Sequence, residues 1–126
     1  MTGRYTLKRS EMLKSAKDFE RLFNKNQRVY SVSAKGVSAR FFRVNEQNEP
    51  PFKVAFLVGK RWIRVAVRRN LVKRRLREAF RLQRNALNDI DGIRLAIIYR
   101  RNNVMGFDEI FEAMSELLVK VNERLD

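Results

Sequence analysis

The sequence predicts an α+β sandwich, one domain in which three helices pack on a sheet of three or four strands. Three observations carry that expectation. Hydrophobic spacing switches between the helical and the strand period in the order helix, strands, helix, strand, helix. The chain is 126 residues long, enough to bury one core and too short for two. Hydrophobic residues make up 44% of it, including nine Phe, a composition of globular rather than disordered chains. The single domain is expected over 1–126, with residues 1–10 as a disordered tail.

The first helix is expected over about 15–25. Ser15 can cap it, Asp18 can face its positive end, and Ala16, Phe19, Leu22 and Phe23 form one narrow apolar stripe. Between Val29 and Val44 β-branched and aromatic residues rise, and Val37, Ala39 and Phe41 alternate with Ser38, Arg40 and Phe42 as in a strand. The polar stretch 45–51, closed by Pro50 and Pro51, reads as a loop between strands. Lys53 to Val58 alternates again, and Leu95 to Tyr99 reads as a strand buried on both faces.

From Arg69 to about Leu87 the period is helical. Projected at 100° per residue, Val72, Leu76, Ala79, Phe80 and Leu87 share one arc, while Asn70, Lys73, Arg74, Arg77, Arg81 and Arg84 share another about 100° wide. One face is core and the other a cationic ridge. The last helix, over about 106–121, turns Phe107, Ile110, Phe111, Met114, Leu117, Leu118 and Val121 inward.

Charge locates the binding surface. The 28 Lys and Arg against 14 Asp and Glu give +14, and Arg outnumbers Lys 19 to 9. A small chain so charged repels itself unless a polyanion neutralises it, and Arg suits forked phosphate contacts and stacking on bases. Residues 53–101 carry +12 of the total, against +6 before them and −4 after them. The middle of the chain therefore faces the polyanion, and nucleic acid is the first candidate.

Absences narrow the chemistry. With no Cys and no His there is no disulfide framework, thiolate nucleophile, imidazole base or usual zinc site. The N-terminus is polar and basic, and no clean apolar run exceeds five residues, the length of Leu95 to Tyr99, so a cytoplasmic protein without a membrane partner is expected. No obligatory protein partner is evident.

Within the ridge, Arg69, Lys73, Arg74 and Arg77 recur at helical spacing, and Asn70 adds an amide that can cap or reach a base or sugar edge. A solvated charged face is the plain alternative. It would interleave acids, yet Glu78 is the only acid from Lys60 to Arg84. Phe19 and Phe23, with Phe41 or Phe42 from a facing strand and the bases Lys17, Arg40 and Arg43, suit a single strand whose bases lie on rings; Phe at helical spacing is more often a core pattern. Asp108, Glu109, Glu112 and Glu116 read more simply as a solvated helix face than as metal ligands. Trp62 fits either stacking on RNA or covering the sheet edge.

The run Arg69-Asn-Leu-Val-Lys-Arg-Arg-Leu-Arg-Glu78 resembles the signature of the protein subunit of bacterial ribonuclease P. Thr6 to Phe23, with its Asp-Phe and a second Phe four residues on, is similar to that family's N-terminal stretch. Val54 to Arg61 resembles its strand ending in a basic pair, and Ile90 to Arg100 the strand after the signature helix. One departure stands out: where the family usually has a Gly-Lys-Ala turn after the basic pair, this chain has Trp62-Ile-Arg-Val-Ala66.

The resemblance implies an α-β sandwich with a small mixed sheet of about four strands and a left-handed βαβ crossover, an exception to the usual hand. It implies that Arg68, Arg69, Asn70, Lys73, Arg74, Arg77 and Arg81 face the catalytic RNA subunit. It also implies that Phe19 and Phe23, with Lys17, Arg40, Lys60 and Arg61, serve the 5′ leader of precursor tRNA. Catalysis would belong to the RNA, with Mg²⁺ bound mainly there and no catalytic or metal-binding side chain in this chain. The expected function is thus the accessory subunit of an endoribonuclease. The alternatives are a structural RNA-binding protein, such as a ribosomal component, and a free-standing nuclease.

Overall fold

The computed structural model describes residues 7–24, 28–44 and 52–125. The expected loop at 45–51 lies outside the described residues, as do residues 1–6. Residues 7–10, expected in the tail, are folded: Leu7 packs on the core, and a 3₁₀ turn at Arg9–Glu11 follows.

Helix α1 (Ala16–Leu22) starts as its capping residue predicts, with the Asp18 N–H donating to Ser15 Oγ at 3.4 Å. The β-rich stretch from Val29 to Val44 is a hairpin of β1 (Tyr30–Ala34) and β2 (Val37–Arg43). Its two-residue turn holds Lys35 at φ 47° and Gly36 at φ 88°. At that φ a side chain is strained whatever the space, so the turn needs glycine at Gly36.

Strand β3 (Phe52–Val58) leads through α2 (Ala66–Gln83) to β4 (Ile93–Tyr99), and α3 (Phe107–Leu125) closes the chain. The sheet order is β1-β2-β4-β3, with β3 and β4 parallel and the other pairs antiparallel. This is the small mixed sheet of the expectation, with α2 as the crossover between its parallel strands.

Helix α2 begins three residues before the expected Arg69. Its N-cap is Val65, whose side chain cannot cap, so nothing in the local sequence marks the start. It ends at Gln83, and Arg84–Ala86 form a 3₁₀ turn where the helix was expected to run on.

Alternation splits the sheet's residues between two cores. On one face Val37, Ala39, Phe41, Val54, Phe56, Leu95, Ile97 and Tyr99 meet Val72, Leu76, Ala79 and Phe80 of α2 and Ile110, Met114, Leu117 and Leu118 of α3. On the other, Phe42, Ala55 and Ala96 meet Leu13 and Leu22 at α1. Two helices cover the first face and one short helix covers part of the second, which leaves ground for a site.

Candidate nucleic-acid interface

Register places the side chains of the second face in rows. Phe42, Arg94 and Lys53 lie across one row; Ser31, Arg40, Ala96 and Ala55 across the next; Ser33, Ser38, Ile98 and Leu57 across the third. Helix α1 lies over the first two. Asp18 faces the buried Arg94 at 3.8 Å, the Arg21 guanidinium lies 4.1 Å from the Phe42 ring centre, and Arg40 Nε–H donates to the Leu22 carbonyl at 2.6 Å.

Beyond α1, among the described residues, no helix covers the third row, which we take as the floor of a candidate groove. Ser33 is exposed, and Ile98 and Leu57 are half-buried. Arg100, next along that face of β4, donates from Nε to Ser38 Oγ at 2.9 Å. Phe23 forms the helical rim at 47% exposure, with the Arg40 guanidinium 5.6 Å from its ring centre. A floor of serine and half-buried aliphatic side chains, one open ring and two guanidinium groups can seat unstacked bases and their phosphates.

The structure brings Phe23 and Arg40 together in this groove but spreads the other expected leader residues. Phe19 is half-buried in the cluster beneath α1. Lys17 is exposed in the first turn of α1, and Lys60 and Arg61 lie past the end of β3. Phe42 is covered by α1, and Phe41 belongs to the opposite core. Arg43 is engaged away from the groove, with Asp89 at 3.5 Å. Sequence reading missed Arg100 as a groove residue, although its spacing of two from Ile98 places it on the same face.

On α2 the ridge is narrower than its sequence suggests. Asn70, Arg74 and Arg77 are exposed and Lys73 half-buried, and no acid pairs with these three bases among the described residues. Arg81 is held by Glu78, whose carboxyl lies below its ordinary range because Arg81 hydrogen-bonds to it. Arg84 pairs with Glu11 at 2.6 Å.

Arg69 donates to the Ile63 and Arg64 carbonyls at 3.1 and 2.7 Å and so clamps the preceding loop. Arg68 lies on the other flank of α2, roughly 180° around the helix from Arg77. The expected acids of α3 are also occupied in part: Glu112 pairs with Lys35, and Glu116 lies 4.0 Å from it.

Comparison with known proteins agrees with this architecture. The family model described as Ribonuclease P matches residues 7–122. The ribonuclease P protein component of Chlorobaculum tepidum is 33% identical over 81 residues, 64% of this chain and 53% of that protein. The chain thus spans about half the length of the curated relative it matches. The RNase P protein of Staphylococcus aureus has 22% identity and a TM-score of 0.69, covering 88% of this chain and 94% of that one. That of Thermotoga maritima has 22% identity and a TM-score of 0.68, covering 87% and 96%. At such identity the structural likeness establishes the fold. No helix among the described residues is long and apolar enough to cross a membrane.

Proposed function

The chain belongs to the ribonuclease P protein family, and from that membership we propose that it is the protein component of a ribonuclease P, binding the catalytic RNA and the 5′ leader of precursor tRNA. The observation that carries this reading is the separation of two different surfaces. The ridge of Asn70, Lys73, Arg74 and Arg77 lies on a helix against one face of the sheet, and the aromatic groove is on the other face.

Each surface fits one kind of RNA. Bases at helical spacing without acidic partners match a folded RNA backbone, which they recognise by charge. Phe23 with Arg40 and Arg100 matches a single strand, whose bases are free to stack while guanidinium groups take the phosphates. The protein's share of the reaction is to neutralise phosphate, hold the RNA subunit's fold and align the leader, in the cytoplasm where tRNA matures. Membership in the family implies Mg²⁺ for the reaction. We assign the ion to the RNA and no step of the chemistry to a side chain of this protein.

Cleavage of precursor tRNA by the cognate catalytic RNA at low Mg²⁺ tests the proposal. Adding the chain restores 5′ processing if it is correct. A structural RNA-binding protein would leave cleavage unchanged, and a free-standing nuclease would cut without the RNA subunit.

A further inference from the structure

A further cationic site lies at the N-terminal end of α2, away from both surfaces described above. A pocket of about 710 Å³ opens there, within the size range of small-ligand sites. Arg61, Trp62 and Arg64 line it from the β3–α2 loop, Arg68 from the first turns of α2, and Asn102 and Asn103 from the β4–α3 connection. No acidic residue lines it, and Arg64 and Arg68 have no ion-pair partner among the described residues.

Both walls are pinned, so the pocket is formed before anything enters it. In the loop, the Trp62 and Ile63 N–H groups both donate to the Gly59 carbonyl at 3.1 Å. Ile63 is anchored in the core at 4% exposure, and the Arg69 clamp fixes the carbonyls that follow. In the opposite wall, the buried Tyr99 hydroxyl donates to the Asn103 carbonyl at 2.6 Å and accepts from the Met105 N–H at 3.0 Å. Arg75 adds a bond to the Met105 carbonyl at 2.6 Å.

The chemistry inside is that of a nucleotide site. The half-buried Trp62 packs on the core, and the Arg61 guanidinium lies 5.4 Å from its ring centre, within cation–π reach. Arg64 and Arg68 supply forked donors for a phosphate. Asn102 and Asn103 carry both a donor and an acceptor amide, which base edges need and a bare phosphate does not.

We propose that this pocket takes one unpaired nucleotide of an RNA, its base stacked on the Trp62 indole and its phosphate held by Arg64 and Arg68. The base displaces Arg61 from the ring and leaves it beside the phosphate. The inference rests on the RNA-binding reading above and adds to it a third contact, specific to the Trp62 loop of this chain.

Trp62 is the only Trp, so intrinsic fluorescence reports on this pocket. The full chain is titrated with a short, end-labelled single-stranded oligoadenylate, and Trp emission is read beside the anisotropy of the label. We expect saturable quenching and protection of the indole from acrylamide. Arg68→Ala should weaken the binding seen by emission about tenfold, as loss of a charge-assisted contact implies, and Arg64→Ala should do the same. An abasic oligomer should bind by anisotropy without quenching. Binding by anisotropy with silent emission overturns the pocket and leaves the RNA reading standing. Full quenching by the abasic oligomer or by inorganic phosphate overturns the base contact. If neither signal changes, the RNA reading fails and the pocket with it.

Discussion

Arg40 donates its Nε–H to the carbonyl oxygen of Leu22 at 2.6 Å, joining the middle of the sheet to the last turn of α1. The bond satisfies one of the carbonyls that a helix end leaves without a partner and sets a positive charge at the helix's negative pole. It also holds the guanidinium beside Phe23, so one side chain fixes both the helix and the ring at the groove's rim.

Replacing Arg40 by Ala should therefore free the C-terminal turn of α1. A hydrogen bond from a charged donor contributes about 1.5 to 3 kcal/mol. Amide exchange should quicken across α1 while β2 and β4 keep their protection. Unchanged exchange in α1 would show that the bond does not hold the helix.

On the ridge, Arg74→Ala and Arg77→Ala should each weaken binding to the RNA subunit whatever the substrate. Each should also lower the slope of log K against log salt by about 0.7 to 0.9, the share of one phosphate contact. Both side chains are exposed, so thermal unfolding should stay close to that of the parent protein. A salt slope that neither substitution moves would make the ridge a solvated face.

Leu76, next to Arg77 in sequence but fully buried among α2, α3 and the sheet, should behave in the opposite way. Leu76→Ala should destabilise the fold by about 2 to 5 kcal/mol in denaturant titration.

The Glu11 carboxyl is held below its ordinary value of 4.5, chiefly by its hydrogen bond to Arg84. A lowered folded-state pKa means that the pair's stabilisation is fully present above the unfolded value and is lost as pH falls through the depressed one. Glu11→Gln should cost about 1.5 to 3 kcal/mol at pH 7. The difference from the parent should shrink below pH 4.5 as the parent's own carboxyl protonates. Parallel stability curves from pH 7 to pH 3 would contradict the assignment.

Much of this was legible in the sequence because local spacing carried it. Ser15 marked the start of α1, the period switch marked the strands, and the arc of Val72, Leu76, Ala79 and Phe80 marked the buried side of α2. What escaped was decided by partners distant in sequence. Arg84 reads as a ridge residue until Glu11, 73 positions away, takes it. Val65 gives no sign that a helix begins. Phe41 and Phe42 are equal candidates for the groove until the register sends one to each core. Arg68 and Arg69, adjacent in sequence, diverge because successive helical residues point about 100° apart.

If the groove and the ridge serve different RNAs, substituting Phe23 separates the two. The measurement is the affinity of the assembled particle for precursor tRNA and for mature tRNA, with Phe23→Ala beside the parent protein. The expected result is a loss of about 1 to 3 kcal/mol for the precursor, the contribution of one stacked base, and none for the tRNA lacking a leader. Arg74→Ala in the same assay should impair assembly with either substrate. Equal losses for precursor and mature tRNA with Phe23→Ala, or no loss for either, would contradict that division of roles.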